Sequence, residues 1–229
     1  MKTIGLLGGT GWTSTITYYT KLNQLVNARL GGYHSAKILL KSVDYHDIMN
    51  HYGQNHEAIE DTLCTELLDL ISMDPDCFLI CCNSLHKYYD MIKGHLYSDI
   101  PIFHAVELVA EHLKAQQYKK ILLLATPFTL EDGFFAKILE EHGLQVVIPI
   151  AEDRIKIGTI LDDLLNNTLK EDAKTYFKDL IASHTDIDAV VLGCTEFPLI
   201  IDENMSSVPL VDPVDLQVQA AVEYALGEA

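Results

Sequence analysis

Basic residues are scarce in this chain: 16 lysines and arginines stand against 33 acids, a formal net charge of −17, and the arginines are only Arg29 and Arg154. A field of that sign repels phosphate backbones and anionic lipid surfaces, so nucleic acid and charged membranes are excluded as partners. Long apolar runs are missing too, since nothing approaches the roughly 18 to 20 residues of a membrane span. The opening MKTIGLLGGTGW turns glycine-rich after a few apolar positions and lacks the h-region and cleavage site of a secretory leader. A cytoplasmic protein is the expectation. Cys64, Cys77, Cys81, Cys82 and Cys194 make an odd set in a chain without an export signal, which argues against a disulfide framework and predicts reduced thiols. There is no C-x-x-C pair and no H-x-x-x-H, so zinc finds no ligand set in the spacing, and no metal is expected. Gly/Ser linkers and low-complexity tracts are also lacking.

What is present is a globular composition, 48% hydrophobic and 21% charged over 229 residues, enough for one α/β domain or two small ones. Short apolar runs at 3–7, 36–43, 77–82, 100–103, 120–125, 146–150, 189–194 and 208–211 read as strands buried on both faces. Stretches with helical period lie between most of them, among them 57–72, 105–116 and 172–183. Alternation of this kind predicts parallel sheets with right-handed crossovers.

The pattern occurs twice. KTIGLLGGTGWTSTITYYTKL from Lys2 matches KKILLLATPFTLEDGFFAKIL from Lys119, with Tyr18 and Tyr19 answering Phe134 and Phe135; DPDCFLICCNS from Asp74 matches DIDAVVLGCTE from Asp186. After each of the latter a proline opens another short strand. The fold class expected is α/β with two similar lobes related by internal pseudo-symmetry, each a short parallel sheet flanked by helices, with the active site in the cleft between them. The first lobe would cover 1–100, completed by a last helix within 211–229, and the second 101–210.

Cys82 and Cys194 each end a predicted parallel strand, where ligand crevices of α/β sheets form, and each precedes a predicted helix. A helix N-terminus stabilises a thiolate and lowers its pKa from about 8.5 towards neutrality. Free cysteine is also among the most buried residue types, and only the matched placement lifts these two above packing. Cys81 points to the opposite strand face and is matched by Gly193, so it reads as packing, as do Cys64 and Cys77. His86, four residues past Cys82, can pair with that thiol or simply cap or pack. The glycines of GLLGGTGWTS fall short of a dinucleotide fingerprint, Ser14 standing in the third glycine's place, and instead let the amides of the Gly8 to Gly11 turn approach a small anion. Asn83, Ser84, Thr126, Thr129, Thr195 and Glu196 beside the strand ends are each ordinary N-cap candidates; gathered on one cleft they would grip a carboxylate and an ammonium group.

These residues resemble the aspartate/glutamate racemase family over nearly the whole chain, in MKTIGLLGG, RLGGYHSAKILLKSVDYHDI, CNSLHK, LLLATPFTLEDGFF and LGCTEFPLIID followed by VPLVD. RLGGYHSA points to the aspartate racemase branch. The resemblance implies a two-lobe fold, a homodimer, no pyridoxal phosphate or other cofactor, and a small amino acid as substrate. It also implies two catalytic cysteines: Cys82 and Cys194 exchange protons with the α-carbon from opposite faces, one as thiolate and one as thiol. Thr10, Asn83, Ser84, Thr126, Thr129, Thr195 and Glu196 would bind substrate. Three departures stand out: Gly8 to Ser14 read GGTGWTS where many relatives have Gly-Gly-Met-Ser-Trp-Glu-Ser, Ser84 replaces a usual Thr, and Tyr45 and Leu164 lie near positions where some aspartate racemases carry cations. Lys87, Arg154 and His46 are the remaining candidates for a side-chain carboxylate. Racemisation of aspartate, with glutamate next, is the expected activity. A maleate-type cis-trans isomerase with a covalent cysteine adduct and a non-catalytic amino-acid-binding protein are the alternatives.

Overall fold

The computed structural model describes residues 1–166 and 168–228. In chain order they form β1 (Thr3–Gly8), α1 (Trp12–Leu30), β2 (Lys37–Ser42), α2 (His46–Met49), α3 (His56–Ser72), β3 (Cys77–Ile80), α4 (Leu85–Ile92), α5 (Ala105–Ala115), β4 (Lys120–Leu124), α6 (Pro127–Asp132), α7 (Phe134–Glu141), β5 (Gln145–Val147), α8 (Ala151–Leu165), α9 (Asp172–Ser183), β6 (Ala189–Leu192), β7 (Leu210–Val211) and α10 (Pro213–Leu226). They divide into two compact units, one of Met1–Ala105 with the chain from Val214 onward, the other of Val106–Pro213. No described helix is long and apolar enough to cross a membrane.

Both sheets are parallel and wired alike: β2-β1-β3 in the first unit, β5-β4-β6-β7 in the second, with the first strand of each unit at the centre. The repeated Asp-x-Asp motif has a physical job in both. Asp76 accepts the Thr3 amide at 2.6 Å, while Asp188 accepts those of Lys119 and Lys120 at 2.7 and 2.9 Å, so each carboxylate satisfies an amide where the central strand begins. Those amide hydrogen bonds hold the Asp188 carboxyl below its ordinary value. The counterpart of β7 is almost gone. The strand expected at 100–103 is a single bridge between Phe78 and Ile102, because Pro101 has no N–H for a ladder. The run expected at 146–150 stops at Val147 for the same reason, Pro149 following two residues on.

The first unit packs helices on both faces of its sheet. Ile4, Leu6, Cys77, Leu79 and Cys81 face Tyr18, Leu22 and Val26 of α1 and Val214, Val218 and Ala221 of α10; Leu7, Phe78, Ile80 and Cys82 face the side of α3 and α4. Alternation along one strand therefore sends Cys81 and Cys82 to opposite layers. Helix α1 buries Tyr18, Leu22 and Val26 at intervals of one turn and stops where Gly31 donates back to Asn27. In the second unit Leu122, Leu124, Val190 and Leu192 meet Ile157, Leu161, Phe177 and Phe197. Chain entry into α1 depends on Gly9, whose φ is +88° and whose missing Cβ would stand 2.1 Å from the Val43 carbonyl oxygen.

Candidate active site

The predicted site residues lie at or just past the carboxyl ends of parallel strands, apart from His46 on α2, Lys87 on α4, Thr129 on α6 and Arg154 on α8. In the first unit β3 delivers Cys82, Asn83 and Ser84, and β1 delivers Thr10, all buried except the half-buried Ser84. Ser84 sits at the N-cap of α4 but makes no capping hydrogen bond. Its hydroxyl lies 3.3 Å from Cys82 Sγ and 2.8 Å from the Tyr52 hydroxyl instead. Thr10 Oγ1 is buried with no hydrogen-bond partner among the described residues. The glycine turn is less available to an anion than its sequence suggests, because the Gly9 amide already donates to Thr15 Oγ1 at 2.8 Å.

In the second unit Cys194 Sγ donates to Glu196 Oε2 at 3.0 Å, and Thr195 Oγ1 donates to the same oxygen at 2.9 Å. The helix expected after Cys194 is only a three-residue 3₁₀ turn, Phe197–Leu199. Ile200 and Ile201 follow it, both buried in the core, without continuing the turn into a helix. Little helix dipole is left there to act on Cys194, and Glu196 is its polar neighbour instead. Thr126 and Thr129 satisfy one another: Thr126 Oγ1 accepts the Thr129 amide at 3.2 Å as the N-cap of α6 and donates to Thr129 Oγ1 at 3.0 Å. Lys87 leans over the Tyr88 ring, its Nζ 5.4 Å from the centroid. Arg154 donates from Nη1 to the Pro149 carbonyl at 3.2 Å, and exposed His46 meets Asn50 at 2.8 Å.

His86 is a positioning group rather than a thiol partner. Fully buried, it donates from Nδ1 to the Cys82 carbonyl at 3.0 Å and accepts at Nε2 from the Gln217 amide at 3.3 Å, so both ring nitrogens are used. Gln217, also fully buried, donates to the Phe103 carbonyl at 2.6 Å and accepts from the Tyr18 hydroxyl. This assigns the Nδ1–H tautomer from the network. Spacing could not reveal Gln217, 131 positions from His86, nor Tyr52, which lies in a segment without period. A charged His86 would aim a second N–H at the Gln217 donor. Burial, with His104 edge-on at 4.5 Å between ring centroids, lowers its pKa to about 3.

That shift has a sign. Between the ordinary histidine value and about 3 the unfolded chain binds a proton that the folded chain refuses, so stability is complete above about pH 6.5 and falls as the pH drops. From about pH 7.5 to 5.5 the His86 contribution should fall by about 1 kcal/mol. Urea unfolding at both pH values should show a steeper loss for the wild type than for His86→Gln, which cannot titrate; equal losses would show that His86 is not the group responsible.

Among the described residues no group of three His, Cys, Asp or Glu side chains is arranged to hold a metal ion. Residues 7–221 match the family described as Asp/Glu/hydantoin racemase. The chain belongs to that family. A Yersinia pestis protein provisionally described as an Asp/Glu racemase is 33% identical, with a TM-score of 0.89 over 99% of this chain and 100% of that one. The Picrophilus torridus aspartate racemase is 25% identical, with a TM-score of 0.80 over 99% of this chain and 95% of the other. The Aquifex pyrophilus glutamate racemase is 31% identical over 149 residues, 61% of this chain and 54% of its own length, so the chain spans about half of that relative. Relatives in the Asp/Glu/hydantoin racemase family carry the names of amino-acid racemases, which are isomerases.

Proposed function

We propose that the protein racemises a small acidic amino acid without a cofactor, aspartate first and glutamate next, with Cys82 and Cys194 as the acid/base pair. One observation carries the reading: two cysteines stand at matching exits of two equally wired parallel sheets, each with a hydroxyl side chain within two residues. Inversion at an α-carbon needs a base on one face and an acid on the other, and a duplicated strand exit supplies one of each. The hydrogen bonding of the two differs as those roles require. Cys194 donates to Glu196 and so carries its proton, whereas Cys82 faces a serine hydroxyl that can donate to a thiolate.

Asn83, Ser84, Thr195, Thr126, Thr129 and the otherwise unsatisfied Thr10 hydroxyl supply donors for the α-carboxylate, and Glu196 an acceptor for the ammonium group. Lys87 and Arg154 are the cations assigned to the side-chain carboxylate. Aspartate is placed first because the full-length likeness to the Picrophilus torridus aspartate racemase is the broader one, and glutamate second for the Aquifex pyrophilus relative.

The test is incubation in deuterated water with L-aspartate, L-glutamate and several neutral amino acids, without added cofactor, following loss of the α-proton by NMR. Exchange with inversion is expected for aspartate above the rest. Exchange confined to neutral amino acids would overturn the acidic substrate, and a stable cysteine adduct formed with maleate, without any exchange, would overturn racemisation.

A further inference from the structure

Hydroxyl groups stand in series behind the Cys82 thiol. Ser84 Oγ lies 3.3 Å from the sulfur and 2.8 Å from the Tyr52 hydroxyl, and Tyr52 is hydrogen-bonded in turn to Tyr45. Each hydroxyl has one proton to donate, so the series runs in one of two directions. A Cys82 thiolate can only accept. It accepts a hydrogen bond from the Ser84 hydroxyl, which leaves the Ser84 oxygen to accept from Tyr52 and the Tyr52 oxygen to accept from Tyr45. A Cys82 thiol can donate to Ser84 and turn the series round. The protonation state of one sulfur and the direction of the whole series are therefore the same variable, and hydrogen bonds aligned head to tail strengthen one another.

We propose that Tyr52 is a positioning residue for Cys82, donating to Ser84 Oγ so that the Ser84 hydroxyl is held on the sulfur and the thiolate is favoured. The proposal rests on the racemase reading for its purpose, because a thiolate is the form that takes an α-proton. Two observations support it. Ser84 stands at a helix N-cap, where serine ordinarily serves the backbone, yet its side chain makes no capping bond and is turned to the sulfur and the phenol. Tyr52 also keeps its proton to give: burial, and then the charge on Cys82, hold its phenol well above the ordinary value. Cys81 and His86, the titratable neighbours of Cys82 in the chain, carry no charge to compete. Burial holds the Cys81 thiol protonated on the opposite strand face, and His86 on α4 is neutral with both nitrogens engaged.

The experiment reads the thiol directly. The full chain without substrate is pulsed with iodoacetamide from about pH 6 to about pH 9.5, and alkylation of Cys82 and Cys194 is followed separately by peptide mass spectrometry. In Tyr52→Phe the Cys82 profile is expected to move up by about half a pH unit, about a threefold loss of rate near neutrality, while the Cys194 profile stays in place. Ser84→Ala should displace Cys82 further, and Ser84→Thr, which restores the hydroxyl, should bring it back. An unmoved Cys82 profile in Tyr52→Phe, or Cys82 and Cys194 moving together, would overturn the proposal. Should Tyr52→Phe fail to fold, an unmoved profile in Ser84→Ala overturns it equally. The reagent reports on the thiol whether or not any amino acid is turned over, so failure here and failure of the racemase reading are separate results.

Discussion

Cys82→Ala and Cys194→Ala are each expected to lower racemisation by at least about a thousandfold while leaving the fold intact. The magnitude follows from removing one of two proton-transfer groups, each of which contributes roughly a hundred- to ten-thousandfold. Both side chains are small and sit at strand exits rather than mid-strand, so losing either costs little packing. The informative result is what remains. A variant with one thiol can still remove and return the α-proton on one face, exchanging it for deuterium without inverting the carbon. Cys82→Ala should wash the label into one enantiomer and Cys194→Ala into the other. Exchange of both enantiomers by a single variant would show that one residue serves both faces, and the paired assignment would fail. Cys81→Ser is the control for register, since Cys81 lies in the layer of α1 and α10. It should racemise normally wherever it folds.

The largest expected effect on stability is Gly9→Ala. At φ +88° an alanine is strained on its own account, and its Cβ would meet the Val43 carbonyl oxygen at 2.1 Å and the Val43 amide nitrogen at 2.5 Å. Both are backbone atoms held beside the strand exits, with the Val43 amide bonded to the Gly8 carbonyl at 3.0 Å, so neither can swing aside as a side-chain tip would. The cost should reach about 4 kcal/mol or more, a loss of roughly 10 °C in Tm for a chain of this size. Gly133→Ala separates the two contributions. Gly133 has a comparable φ of +78° but nothing within 4 Å of a Cβ, and should lose only about 1 kcal/mol. Equal melting curves for the two variants would show that the clash at Val43 is relieved by movement of the turn.

The duplicated sheets were legible because their strands are apolar on both faces. A run such as FLICC or AVVLGC is a core strand whichever layer it meets, and 172–183 coincides with α9 because Ala173, Phe177, Leu180 and Ile181 follow one helix face. Strand lengths near proline were less legible, as periodicity counts side chains while a ladder counts amides, and Pro101 and Pro149 withhold theirs. The exit of β6 misled for another reason. TEFPLII has the start of a helix, but the chain turns only over Phe197–Leu199 before Ile200 and Ile201 join the core, a tertiary outcome that no local pattern carries. The two thiols were singled out through the repeat, and Asn83, Ser84 and His86 by standing next to Cys82, whereas Gln217 and Tyr52 were not. Gln217 reaches His86 from α10 and is itself held by the Tyr18 hydroxyl of α1, and Tyr52 and Tyr45 come from a stretch whose residues repeat nowhere in the second half.

Helix α10 has a consequence for how the protein is made. The first unit's inner layer needs Val214, Val218 and Ala221, and the bond that fixes His86 over the Cys82 carbonyl needs Gln217. On the ribosome these arrive after the whole second unit, which is one unbroken stretch and can collapse as soon as it emerges. The nascent first unit waits meanwhile with an uncovered seam of Tyr18, Leu22, Val26 and Leu79, closed only by contacts of very high sequence separation, the slowest kind to form. During that interval the Cys82 loop lacks its anchor, so this thiol should mature last.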